Sequence, residues 1–143
     1  MTPDQSAAEY ERRINRVIDY IAGHLDETLT LSRLARVACF SEFHFHKIFR
    51  MQIGETVNEF IARMRVEKAL FLMRHSPRRT LTDIALECGF NTAANFTRVF
   101  RKRMGVAPRA FDLERYWQDR KIGKDDAIES LYYCKRTLQA DVS

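Results

Sequence analysis

The chain carries part of itself twice, and this duplication limits its fold more than any other feature. Thr30-Leu31 returns as Thr80-Leu81, Ala35 as Ala85 and Phe40 as Phe90, each at an offset of 50. Beyond Phe90 the offset becomes 51, pairing Phe45 with Phe96, Phe49 with Phe100, Arg50 with Arg101, Gly54 with Gly105 and Phe60 with Phe111. The period is too long for a common solenoid unit, and two copies do not build an array. One supersecondary unit used twice is the simpler reading.

Both copies parse alike. In the first, Leu31, Leu34, Ala35 and Ala38 follow helical spacing, Cys39-Phe40 interrupts, and Ser41 is placed to cap a second helix. Phe45, Ile48, Phe49 and Ile53 form the apolar stripe of that helix, and Gly54 ends it. In the second, Thr80 with Asp83 has the form of a capping box, and Leu81, Ile84, Ala85 and Cys88 make the first stripe. Gly89-Phe90 is the turn, Asn91 or Thr92 the next cap, Phe96, Val99 and Phe100 the inward face, and Gly105 the stop. A short helix, a tight turn and a longer helix outline a helix-turn-helix. An αα-hairpin with no nucleic-acid role has the same outline, but two copies with a basic outer face on the second helix favour a reader.

The flanking segments are helical too. Ile14, Val17, Ile18, Ile21 and Leu25 make an amphipathic helix that should cover the first copy. Thr56 and Glu59 form a second capping box, which opens a long helix through Val57, Phe60, Ile61, Met64, Leu70 and Met73 that Ser76-Pro77 ends near Arg74. Pro108 suits the first turn of a final helix through Phe111 and Leu113. No segment alternates like a strand. The expectation is an all-α chain with helix-turn-helix subdomains at 8–55 and 77–113, a linker helix at 56–76 and a helical tail at 114–143. A linker helix of about 18 residues measures about 27 Å. Successive major grooves on one face of B-DNA lie about 34 Å apart, so such a rod can set two readers near one helical turn of separation.

With 143 residues the chain can bury a core without disulfide staples. No run is long and apolar enough for a spanning helix, and Met1-Thr2-Pro3-Asp4-Gln5-Ser6 lacks the basic and apolar regions of a secretory signal. No membrane association is expected, and the default compartment is the reducing cytoplasm. The net charge of +5 is uneven. Thirteen Lys and Arg face six acids within 41–111, while either flank is net negative by one. A basic middle favours a polyanionic partner, most often nucleic acid.

No Gly-rich phosphate loop or nucleophile motif appears, so no catalytic residues and no cofactor are expected. His44 and His46 are two apart on a helix and point away from each other, and His24 and His75 lack flanking ligands, so no metal site is expected either. Cys39 and Cys88 occupy nearly equivalent turn positions and read as small buried apolar residues. The alternatives to a DNA reader are a thiol-based sensor using these two cysteines and a helical protein-interaction module.

Three stretches carry a resemblance: Ile84-Ala85-Leu86-Glu87-Cys88-Gly89-Phe90, Phe96-Thr97-Arg98-Val99-Phe100-Arg101-Lys102 and Gly105-Val106-Ala107-Pro108. Together they resemble the signature of the AraC/XylS family of bacterial transcription regulators. His44-Phe45-His46-Lys47-Ile48-Phe49 and Gly54-Glu55-Thr56 are similar to the first unit of that family. The resemblance spans about residues 12–113. It implies a seven-helix DNA-binding domain, binding to double-stranded promoter DNA, and activation through contacts with RNA polymerase. Many members carry a further effector or dimerisation domain. This chain is expected to be a small stand-alone member, monomeric and on the nucleoid, or a fragment of a longer regulator. Gly54-Glu55-Thr56-Val57-Asn58-Glu59-Phe60 resembles members with a C-terminal effector-binding domain. Cys39 stands where the family uses Gly, and Ala93-Ala94 where it often has longer polar side chains.

The family places the second helix of each unit in the major groove, and helical phase then sorts the residues. Phe43, His46 and Lys47 in the first unit, and Ala94, Asn95 and Arg98 in the second, are the candidate base contacts. Phe43 suits a thymine methyl or serves as an edge packing residue. Asn95 suits adenine and Arg98 guanine. Ser41 and Arg50, with Thr92, Thr97, Arg101 and Lys102, are the candidate phosphate contacts.

Overall fold

The computed structural model describes residues 2–120. Seven α-helices follow one another: α1 (Pro3–Gly23), α2 (Leu31–Val37), α3 (Glu42–Ile53), α4 (Val57–His75), α5 (Leu81–Glu87), α6 (Ala93–Met104) and α7 (Leu113–Arg120). A 3-10 turn at Pro108–Ala110 separates the last two, and no strand occurs among the described residues. The chain divides into two compact units, one ending at Ala62 and the other starting at Arg63, so the division falls inside α4.

In the first unit α1 packs on α2 and α3, and α2 on α3. Ile14, Val17 and Ile21 of α1 are buried with Leu34, Ala35 and Ala38 and with Phe45, Ile48 and Phe49. α1 begins well before its apolar stripe because Thr2 and Gln5 form a reciprocal capping box, and it ends at His24, leaving Leu25 buried beyond the helix. In the second unit Val66, Leu70, Ile84, Ala85, Cys88, Phe90, Phe96 and Phe100 form one core. Leu113, Tyr116 and Trp117 of α7 pack against it.

The two units repeat one aromatic stack. Phe45 and Phe49 have ring centroids 5.8 Å apart, and Phe96 and Phe100 5.7 Å. Phe60 then meets Phe49 edge-on at 5.4 Å, as Phe111 meets Phe100 at 5.3 Å. Edge-to-face pairs at such distances add about 0.5–1.5 kcal/mol to area burial.

The two turns are also copies. Each short helix closes with a left-handed residue, Cys39 at φ 58° and Gly89 at φ 95°. Around it run the two hydrogen bonds of a Schellman motif: Cys39 N–H to Arg36 C=O and Phe40 N–H to Ala35 C=O, matched by Gly89 to Leu86 and Phe90 to Ala85. The N-caps follow. Ser41 Oγ accepts the His44 N–H, and Thr92 Oγ1 accepts the Asn95 N–H. Between Phe90 and its cap lies one extra residue, Asn91, and this insertion turns the offset of 50 into 51.

Three expectations change. Cys39 is exposed, and it is equivalent to Gly89 rather than to Cys88, whose counterpart is Ala38. A left-handed non-glycine residue costs about 1–2 kcal/mol, and Arg13 braces it by donating to the Cys39 carbonyl at 3.3 Å and lying 4.9 Å from the Phe40 ring centroid. Pro108 starts only a 3-10 turn, not a helix through Leu113. Phe111 becomes extended to reach Phe100, and Asp112 Oδ1 caps α7 by accepting the Arg115 N–H. Thr56 and Glu59 do not form a reciprocal box: the Thr56 hydroxyl accepts the Glu59 N–H but donates to the Glu59 carboxylate. The helix expected after Gly123 lies outside the described residues.

Substitution at the paired left-handed positions should have opposite signs. Gly89→Ala is expected to cost about 1–2 kcal/mol in urea unfolding. Cys39→Gly removes that strain while adding about 0.5–1 kcal/mol of chain entropy, so it should be neutral or stabilising by up to about 1.5 kcal/mol. Equal losses at both sites would contradict the equivalence of the two turns.

Candidate nucleic-acid interface

The caps and the aromatic stack fix which face of α3 and of α6 is turned outward. On α3, Phe45, Ile48 and Phe49 are buried, so Phe43, His46, Lys47 and Arg50 are exposed. These four line a shallow depression of about 450 Å³ together with Met51. Phe43 is 81% exposed and Met51 70%, so neither is an edge packing residue. Met51 was missed by sequence reasoning, although it lies four residues past Lys47 and eight past Phe43, on the same helical face. Two large apolar side chains held in water among three basic or imidazole groups are costly for a surface without a partner.

On α6, Phe96 and Phe100 are buried, and Ala94, Thr97, Arg98, Arg101 and Lys102 are exposed. Arg103, also exposed, joins them in the last turn and was not singled out from sequence. Asn95 does not face freely outward. It is half-buried, and its Oδ1 accepts from Arg98 Nη2 at 2.8 Å. Ser41 and Thr92 each use a hydroxyl oxygen in capping, which leaves the hydroxyl proton to donate to an anion at the start of α3 or α6.

Some cations are held in ion pairs and others are not. Arg12 and Arg13 pair with Glu9, Arg33 with Glu27, Arg63 with Glu67 and Arg79 with Glu87. Lys47 and Arg50 on α3, and Arg98, Arg101, Lys102 and Arg103 on α6, have no carboxylate partner among the described residues. Arg16, Arg36, Arg78 and Arg109 have none there either, so unpaired charge is not confined to α3 and α6, but both helices carry it on their exposed faces.

Among the described residues no group of three His, Cys, Asp or Glu is placed to hold a metal ion, and no helix is long and apolar enough to cross a membrane. Burial pushes the Cys88 thiol up to about 12, against the pull of Lys68, Arg65 and Arg79, so the thiolate needed for redox chemistry is scarce at neutral pH.

Two bihelical units, each turning the outer face of its second helix outward, define a double helix-turn-helix protein. The comparisons agree. Residues 34–113 match the family model of a helix-turn-helix domain. An uncharacterized HTH-type transcriptional regulator of Bacillus subtilis, YbfP, is 33% identical over 102 residues, covering 71% of this chain and 34% of its own length. The HTH-type transcriptional activator RhaR of Klebsiella pneumoniae is 30% identical over 107 residues, covering 75% of this chain and 38% of its own. The chain thus spans little more than a third of these relatives. Among solved structures, the DNA-binding domain of AdpA in complex with a target DNA superposes with a TM-score of 0.66 at 26% identity, covering 77% of this chain and 97% of that one. An AraC-type regulator from Chromobacterium violaceum shares the fold, with a TM-score of 0.65 at 19% identity over 71% of this chain and 90% of its own. The chain belongs to the AraC-type helix-turn-helix family.

The thiols give a direct check of the turn geometry. In a Cys134→Ser background, Cys39 should be labelled by a small disulfide reagent in the folded protein, and Cys88 only as the second unit unfolds. Equal rates at both would show the second turn to be open.

Proposed function

We propose that this chain is a sequence-specific regulator of transcription that reads double-stranded promoter DNA with α3 and α6 in the major groove. The observation that carries the reading is the set of unpaired cations on these two faces, beside two exposed apolar side chains on α3. Phosphate contacts come from Arg50, Arg101 and Lys102, with the hydroxyls of Ser41, Thr92 and Thr97. His46 and Lys47 meet base edges, Phe43 and Ala94 meet thymine methyls, and Arg98 meets guanine. The reading units are 8–55 and 77–113, with 56–76 as their connector. Support for DNA as the ligand comes from AdpA, whose domain was solved on its target.

Activation is the favoured outcome, with RNA polymerase as the protein partner, because RhaR is named an activator. The site of action is the nucleoid in the cytoplasm, and the chain acts as a monomer. A thiol sensor is disfavoured, because the raised Cys88 thiol leaves no second reactive sulfur at the turns.

Binding to a duplex promoter fragment should be steeply salt-dependent. If Arg50, Arg101 and Lys102 each displace one counterion, affinity falls about fortyfold between about 50 and 200 mM salt. A flat titration would point to a protein partner. Arg98→Ala should cost about 1–3 kcal/mol and relax preference at a single base pair, measured by competition between operators. A uniform loss on all sequences would make Arg98 a phosphate contact.

A further inference from the structure

From the placement of Asn95 we infer that it does not read a base: it is a positioning residue that holds the Arg98 guanidinium for guanine. This rests on the proposed DNA-reading role of α6.

Two independent observations carry it. The first is the hydrogen bond itself. Recognising adenine takes both ends of a carboxamide, the oxygen accepting from N6–H and the amide donating to N7. Asn95 Oδ1 is already bonded to Arg98 Nη2 at 2.8 Å. One of the two lone pairs of Oδ1 is thereby spent and the carboxamide is turned along the helix toward Arg98, which narrows the directions from which it can meet an adenine edge. Arg98, by contrast, has five donors and spends one on Asn95, so a pair of them stays available for O6 and N7 of guanine.

The second observation is the duplication. At the offset of 51 that relates α3 to α6, Asn95 corresponds to His44, and Arg98 to Lys47. His44 is not on the exposed face of its helix. Its ring lies 5.6 Å from that of Tyr10 and 4.9 Å from that of Phe40, against the body of its own unit. Position 95 is half-buried in the same way, while Ala94, Thr97 and Arg98 are exposed. The flank that the first unit uses for aromatic packing is used by the second to brace an arginine. A braced guanidinium loses less rotamer freedom on binding than a free one, so more of its interaction appears as discrimination. The first unit has no such carboxamide beside Lys47, and a lysine is a flexible point charge. Sequence preference should therefore be sharper at the α6 half of the site.

The test is selection from random duplexes, followed by competition at the base pair that Arg98→Ala relaxes. Asn95→Ala should reduce the guanine-over-adenine preference there about tenfold. Asn95→Asp keeps an oxygen toward Arg98 but has no amide to give to adenine N7. It should hold the preference within about threefold of wild type, even if its charge weakens all binding alike. Loss of a separate adenine preference in both variants, with the guanine preference intact, would overturn the inference. So would a guanine preference that Asn95→Ala leaves untouched. Should Asn95→Ala fail to fold, Asn95→Leu, which also lacks the acceptor oxygen, takes its place: a reduced guanine preference supports the bracing role and an untouched one rejects it. A wild-type chain that selects no sequence at all would instead overturn the DNA-reading role.

Discussion

The orientation of each outward helix depends on one backbone constraint, a left-handed residue placed between two helices and followed by a phenylalanine. Cys39 or Gly89 reverses the chain, and the next residue, Phe40 or Phe90, donates back to the buried Ala35 or Ala85. Both alanines are buried. Once the turn is set, the cap at Ser41 or Thr92 starts the next helix in a fixed phase. Phe45 with Phe49, or Phe96 with Phe100, then locks that phase into the core. Everything left on the far side of the helix is exposed by default, including Lys47 and Arg50 on α3 and Arg98, Arg101, Lys102 and Arg103 on α6.

Much of this was legible in the residues. Helix caps, glycine stops and a phenylalanine pattern obey local rules, so the repeat, the helices and their inward faces follow from spacing. The shift of offset from 50 to 51 even marks the extra residue, Asn91, before anything else identifies it. What stayed hidden depends on contacts between distant residues. Cys39 adopts a left-handed turn with its carbonyl held by Arg13 from another helix, a contact that spacing does not reveal. Phe111 leaves helical geometry because its ring is needed against Phe100. Helical phase separates inward from outward, but it does not resolve a flank, so the half-burial of Asn95 and its bond to Arg98 were not legible from spacing. Met51 shares a face with Phe43 and Lys47, yet an apolar residue there is assigned to the core unless its burial is known.

The two units share a scaffold and differ in what they display. α3 offers aromatic, thioether, imidazole and ammonium groups around one depression, which suits methyl-rich and mixed base edges. α6 starts with two alanines and ends with three consecutive basic residues, which suits close approach followed by phosphate anchoring. Duplication preserved the apolar positions and left the outer positions free to diverge, as expected when the core sets orientation and the surface sets specificity.

Dimethyl sulfate interference on a bound promoter fragment probes the central claim most directly, because it marks guanine N7 in the major groove and adenine N3 in the minor groove in one experiment. The account predicts two clusters of interfering guanine N7 positions, one abolished by Lys47→Ala and the other by Arg98→Ala. Interference confined to adenine N3, or one cluster that responds to both substitutions alike, would contradict it.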